Sequence, residues 1–168
     1  MDSGSLVQKT LACLREEGFP LAGTCRAQVS EGDAGAFRRW LKGGLHGPLA
    51  TMARTAEARL SPGGVEAWTR GLFCVALPYN TRRDLSAHAL ASGKTWVSRY
   101  AWGRDYHKVL RARLRPVAQV LQAAGFKARV CVDTAPLLER HFAWKAGLGF
   151  IGKNGLLIHP ELGSYLFL

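Results

Sequence analysis

The sequence predicts an α+β domain with α/β-type alternation, a central mixed sheet flanked by helices. Three observations carry this. The continuous apolar run "GLFCVALPYN" (71–80), closed by Pro and Asn, reads as a strand buried on both faces. The run "KARVCVDT" (127–134) reads as a second. Around them lie stretches whose apolar residues recur every three or four positions, the period of an amphipathic helix. Strands alternate with helices and no internal repeat is present, so a layered sheet protein is the natural class. The 168 residues form one domain, 1–168, long enough to bury a core.

In chain order, residues 5–18 place Val7, Leu11 and Leu14 at helical spacing and stop at Gly18. The short apolar "LAGTCRA" that follows fits a strand. Asp33 can cap a helix whose inward face is Phe37, Trp40 and Leu41, ending at "KGG". "LHGPLATMARTAEARLSPGG" gives a helical turn or two and then loop. Thr81 to Lys94 is polar and without period, a surface loop. From Gly103 to Ala124 the helical period returns through Tyr106, Leu110, Leu114, Val117 and Leu121, with Pro116 expected to kink or split it. After the strand at 127–134 come a helix over "PLLERHFAWKAG" and one or two closing strands in "LLIHPELGSYLFL".

Composition narrows the function classes. No apolar run approaches 18 residues and no basic-then-apolar leader is present, so a membrane span or signal peptide is not expected. Cys13, Cys25, Cys74 and Cys131 lie far apart and form none of the close pairs of a zinc or iron–sulfur site. They read as reduced thiols in a cytoplasmic protein. A net charge of +11 points to an anionic partner, of which nucleic acid is the commonest.

Four places could carry chemistry. "GLGFIGKNG" (147–155) matches dinucleotide and phosphate-loop patterns, but it follows a helical stretch instead of a strand and has Asn154 where magnesium binding needs Ser or Thr. Glycines bracketing Lys153 and Asn154 still allow close approach of a large ligand with polar edges. Arg104, Lys108, Arg111 and Arg115 fall at helical intervals and could track a phosphate backbone, with Tyr100 and Trp102 ahead of them able to stack on a base; a solvated helix face explains the charges equally well. Within "GRDYH", Tyr106 points inward, while His107 is either a proton-transfer group or a satisfied, partly buried histidine. Asp133 ends an apolar run. It is either a cap or structural acceptor, or a carboxyl facing a crevice at a strand's end. No metal spacing or nucleophile elbow is present.

Taken together, "SRYAWGRDYHKVLRARL", "VCVDTAPLLERHFAWKAGLGFIGKNGLLIHPELGSYLFL" and "GLFCVALPYN" resemble the epoxyqueuosine reductase family, over the chain from first helix to last residue. The resemblance implies a cobalamin-dependent enzyme that reduces epoxyqueuosine to queuosine at the wobble position of tRNA. It also implies a fold similar to the nitroreductase-like cobalamin domain of reductive dehalogenases, and two four-iron clusters relaying electrons. Carried over by motif, Asp133 matches the proton donor. Ser98, Arg140, Lys153, Asn154, Leu157, Ile158 and His159 match cobalamin-lining segments, several through backbone atoms, and Tyr106 and His107 match residues near the substrate pocket. The expected partners are tRNA and cobalamin, with the protein a monomer. One departure is large: the family continues after "GSYLFL" into two C-x-x-C-x-x-C-x-x-x-C-P runs, which this sequence does not contain. The expectation is therefore an N-terminal cobalamin-binding part that lacks electron delivery. The alternatives are a basic RNA-binding module without catalysis and, more weakly, a flavin reductase of related topology.

Overall fold

The computed structural model describes residues 3–82 and 86–168. The chain opens with α1 (Ser3–Glu16), which lies along α6 (Tyr106–Ala123) and buries Leu6, Thr10 and Leu14. The one polar group among these is satisfied internally, since the Thr10 hydroxyl donates to Leu6 O at 2.8 Å. Gly18, with φ 82°, ends α1 as predicted, and the amide of Phe19 returns to Leu14 O at 3.0 Å. That closure drops Phe19 into the core beside Leu14, Leu110, Val117 and Val132.

β1 (Leu21–Arg26) pairs antiparallel with β2 (Gly71–Pro78), from Leu21 opposite Ala76 to Arg26 opposite Gly71. β5 (Leu166–Phe167) pairs antiparallel with the far end of β2, Phe167 opposite Leu77 and Leu166 opposite Pro78. β3 (Phe150–Ile151) and β4 (Leu157–Ile158) form a separate antiparallel hairpin. The central mixed sheet expected from the sequence is thus replaced by a three-stranded sheet in the order β1-β2-β5 and a two-stranded one, both antiparallel. The expected strand at 127–134 belongs to neither sheet. Its Val130 and Val132 still pack beneath α6, so the apolar alternation is real, but no described strand lies alongside to complete a ladder. β2 is likewise covered on both faces yet only half-buried from Leu72 to Pro78, apart from buried Ala76, and its first residue, Gly71, is exposed.

Helix boundaries differ from expectation for local reasons. α2 (Glu31–Lys42) is capped by Ser30, whose hydroxyl accepts from the Asp33 amide at 3.2 Å and donates to the Asp33 carboxylate; Asp33 sits at the third helical position as the partner of the cap and is not the cap itself. α3 (Ala50–Arg54) and α4 (Ala56–Leu60) are the expected short helical turns, followed by a 3-10 turn at Pro62–Gly64. Of the polar segment Thr81–Lys94, residues 83–85 lie outside the described residues, and α5 (Ser86–Ala91) occupies part of the rest. α6 runs through Pro116 without a break, because the buried stripe of Leu110 and Val117 holds both halves on the core against the loss of one backbone bond. α7 (Glu139–Lys145) begins three residues later than Pro136 suggested.

α7 and β1 meet at Gly23. A Cβ there would lie 2.1 Å from Ala146 O, immediately after α7, so the helix seats on the sheet only because the strand has no side chain at this point. Gly23→Ala is expected to lower stability by about 1–3 kcal/mol, an overpacking penalty. Urea unfolding monitored by circular dichroism measures it, and an unchanged midpoint would remove this contact from the account.

Candidate active site

Asp133 sits where residues 127–132 end and an irregular turn of 133–138 leads into α7. It is the one non-glycine residue with positive φ, 58°, among the described residues. Neither Asp133 nor Thr134 caps α7; the cap position is Leu138, which makes no side-chain cap bond. The left-handed backbone is held from the helix side, where Glu139, the first residue of α7, turns back so that Oε1 accepts the Asp133 amide at 2.9 Å. The turn also closes on itself, Thr134 N to Val132 O at 2.6 Å and Leu137 N to Ala135 O at 2.8 Å.

This geometry presents the Asp133 carboxyl to the first turn of α6. The Tyr106 hydroxyl donates to Oδ2 at 3.1 Å, and His107 Nε2 stands 3.4 Å from the same oxygen. α6 fixes both groups through its cap: Asp105 accepts the His107 amide at 3.0 Å, and its Oδ1 lies 2.9 Å from His107 Nδ1. Tyr106 is sandwiched between His107, at 4.0 Å, and Phe167 of β5, at 4.3 Å and nearly parallel. An imidazole whose Nδ1–H faces Asp105 presents a bare lone pair at Nε2 unless it is doubly protonated. The Asp133 side chain is 60% exposed, so this carboxyl faces outward.

The surrounding groups are tuned accordingly. Burial, then the bond to Asp133 and its charge, push the Tyr106 phenol up to about 12, so it stays a donor. Glu139 is pushed up to about 6, mainly by burial and further by the Asp133 charge, while the bond from the Asp133 amide and the charges of Arg140 and Arg59 oppose the rise. Asp105 is held below the ordinary carboxylate range by its bonds to His107.

An open cavity of about 910 Å³ adjoins the cluster, lined by Asp133, Glu139 and Arg140 together with the exposed Trp144, Phe150 and Ile151. Arg140 donates to Gly155 O, tying α7 to the tip of the β3–β4 hairpin, and Gly155 also lines the cavity. The glycine cluster is therefore a hairpin that closely approaches its own backbone. A Cβ at Gly149 would lie 2.3 Å from Ile158 O, and the amides of Gly152 and Gly155 bond to Leu156 O and Gly152 O within the turn. Asn154 Oδ1 is occupied by the Leu156 amide, and His159 Nδ1 accepts the amides of Glu161 and Leu162. Leu157 is buried and Ile158 half-buried. Of the residues proposed to line a cofactor, Asp133 and Arg140 border this cavity, and Lys153 and Asn154 stand at the hairpin tip beside Gly155. Ser98 lies elsewhere, exposed at the start of a 3-10 turn, and does not line the cavity.

Lys108, Arg111 and Arg115 lie exposed on α6, with exposed Arg104 just before it. Arg111 Nη2 donates to Thr134 Oγ1 at 3.3 Å, so the basic face reaches the turn that carries Asp133. Tyr100 and Trp102 are exposed as well, and Arg99 lies over the Trp102 ring at 5.5 Å and the Tyr165 ring at 6.0 Å. Sequence reasoning missed Glu139, Asp105 and Phe167. Asp105 was legible as a helix cap two residues before His107, whereas Glu139 and Phe167 act through contacts that no local pattern announces. No group of three or more His, Cys, Asp or Glu able to hold a metal is found among the described residues.

Comparisons with known proteins agree on one family. The family described as "Epoxyqueuosine reductase QueG, DUF1730" matches residues 59–134. The chain is 39% identical to an epoxyqueuosine reductase of Pseudomonas aeruginosa over 99% of its own length and 47% of the relative's, and 37% identical to that of Escherichia coli over 100% and 45%. It thus spans a little under half the length of the curated relatives it matches. Among solved structures, it resembles an epoxyqueuosine reductase bound to an epoxyqueuosine-modified tRNA-Tyr stem loop, with TM-score 0.79 at 24% identity over 99% of this chain and 44% of that one. It also resembles the enzyme of Bacillus subtilis with its catalytic aspartate loop swung out of the active site, with TM-score 0.77 at 23% identity over 99% and 44%.

Glu139 supplies a test of this geometry. Its pKa in the folded chain, about 6, lies above the ordinary 4.5, so the folded chain binds the extra proton between these values. Its contribution to stability is complete below pH 4.5 and lost as pH rises through 6. Glu139→Gln is expected to remove about 1–2 kcal/mol of stability loss between pH 4.5 and 7. Urea unfolding of both proteins at the two pH values reads this, and parallel pH profiles would contradict it.

Proposed function

Because the chain belongs to the epoxyqueuosine reductase family, we propose that it forms the cobalamin-facing and tRNA-facing part of such an enzyme, with Asp133 as proton donor in the reduction of epoxyqueuosine to queuosine. The observation that carries this reading is the meeting of Tyr106, His107 and Asp133 at one carboxylate oxygen beside an open cavity. Removing an epoxide oxygen as water consumes two electrons and two protons and leaves a carbon–carbon double bond. The chain's own residues supply protons, first from Asp133, with His107 positioned to reprotonate it and Asp105 to stabilise the imidazolium.

The cavity suits a large, flat organic group with amide edges: Phe150, Ile151 and Trp144 offer apolar surface, and Arg140 and the hairpin offer charge and backbone. Arg140, the hairpin tip with Lys153 and Asn154, and the backbone of Leu157 to His159 are the proposed holders of cobalamin; Ser98 would join them only from outside the cavity. When bound, cobalamin supplies the reducing electrons. Two four-iron clusters and a fold like that of the reductive dehalogenase cobalamin domain belong to the same reading. The described residues offer no cluster ligands, so electrons would come from outside them. Lys108, Arg111, Arg115 and Arg104 are the proposed phosphate contacts, with Tyr100 and Trp102 as stacking surfaces.

Cobalamin should comigrate with the purified chain and change its visible spectrum. With cobalamin reduced chemically, Asp133→Asn should keep that spectrum yet lower deoxygenation of an epoxyqueuosine stem loop by roughly 10²–10⁴-fold. Absence of cobalamin binding by the folded chain, or full activity in the variant, would sink the proposal. Replacing Lys108, Arg111 and Arg115 together with Ala should reduce the salt dependence of stem-loop binding by about two to three counterions. An unchanged slope in filter-binding titrations would move the RNA surface elsewhere.

A further inference from the structure

Arg59, on α4, borders the same cavity as Asp133, Glu139 and Arg140. Its side chain is half-buried and its plane is set from its own helix end, where Nε donates to Thr55 Oγ1 at 2.9 Å. The Thr55 hydroxyl gives its single proton to Thr51 O at 2.7 Å, so toward Arg59 it can only accept. Held in this way, Nη1 reaches across to the turn of 133–138 and donates to Leu137 O at 3.4 Å. The next residue, Leu60, is buried with Val29, Ala34 and Phe142, and Leu138 packs on the same cluster. α4 and the end of the turn are thus seated on one core.

The turn that carries Asp133 has few bonds of its own, Thr134 N to Val132 O and Leu137 N to Ala135 O. Its two ends are held from outside. At the near end Glu139 accepts the Asp133 amide, and at the far end Arg59 donates to the Leu137 carbonyl. Arg59 reaches the near end as well, by charge. Glu139 is faced by Asp133, by Tyr106 of α6, by Cys74 of β2 and by Cys131 of the 127–132 stretch, and it has two cations beside it, Arg140 on α7 and Arg59 on α4. Arg140 is exposed and donates to the hairpin at Gly155 O, whereas Arg59 is the half-buried one. An ionised carboxylate is the stronger acceptor for a backbone amide, so a cation that favours the charged form of Glu139 also tightens its bond to Asp133.

We propose that Arg59 is a positioning residue for Asp133. It anchors the far end of the turn through Leu137, its charge supports the Glu139 acceptor at the near end, and together these keep the Asp133 carboxyl against Tyr106 and His107. The role rests on the reading of Asp133 as proton donor, and Arg59 serves it through the turn.

Two signals of the substrate-free chain test this: the carbon-13 carboxyl resonance of Glu139 against pH, and nuclear Overhauser contacts between the Asp133 side chain and the His107 ring. In Arg59→Met the Glu139 transition should move to higher pH, because a cation favouring the carboxylate is lost, and the contacts should weaken several-fold. Arg59→Lys should bring the transition back toward wild type. Thr55→Val keeps the cation but frees its plane, so it should weaken the contacts and leave the transition in place. With chemically reduced cobalamin, Arg59→Met should lower kcat on the stem loop by roughly tenfold or more at unchanged KM. An unmoved Glu139 transition in Arg59→Met, or Asp133 contacts as strong as in wild type, would overturn the proposal. If Arg59→Met does not fold, Thr55→Val decides by the same contacts. The proton-donor reading is judged by Asp133→Asn, so the two can fail separately.

Discussion

The bond from the Asp133 amide to the Glu139 carboxylate is the constraint on which the site depends. A non-glycine residue in the left-handed region is held there only when its surroundings over-determine it, at a cost of about 1–3 kcal/mol. Here the acceptor comes from the first residue of α7, and α7 is itself fixed by buried Phe142 and Ala143 and by the bare surface of Gly23. The strained residue, its acceptor and the helix are thus one mechanical unit. Lose the acceptor and the carboxyl of Asp133 no longer has a fixed relation to Tyr106 and His107.

α6 supplies the other half of the site by a similar device. Its cap residue, Asp105, holds both the amide and the ring of His107, so the helix terminus and the orientation of the imidazole depend on the same carboxylate. β5 completes it, because the ring of Phe167 fixes Tyr106 from behind while Leu166 and Leu168 face the opposite layer.

Much of this was legible in the chain. The period of α6, the Gly18 stop and the existence of the strands β1 and β2, though not their antiparallel pairing, follow from spacing and punctuation, and the resemblance carried by "GRDYH" and "VDTAPLLER" singled out Asp133, Tyr106 and His107. The remainder was not legible because it depends on distant contacts. Residues 127–132 have a strand's alternation, yet pairing needs a neighbour that local sequence cannot supply. Pro136 marks a helix start by propensity, but the turn that carries Asp133 delays it to Glu139. The glycines of 147–155 looked like a ligand loop, and Gly149 is required simply because the hairpin brings it against the backbone of Ile158.

The most direct test is the amide resonance of Asp133 followed from pH 4 to 8. A carboxylate acceptor that titrates near pH 6 should move this resonance through a transition at that pH in the wild type and in His107→Gln, and the transition should vanish in Glu139→Gln. If the transition instead survives in Glu139→Gln and disappears with His107, then Glu139 does not hold the Asp133 backbone, and the account of the site fails at its base.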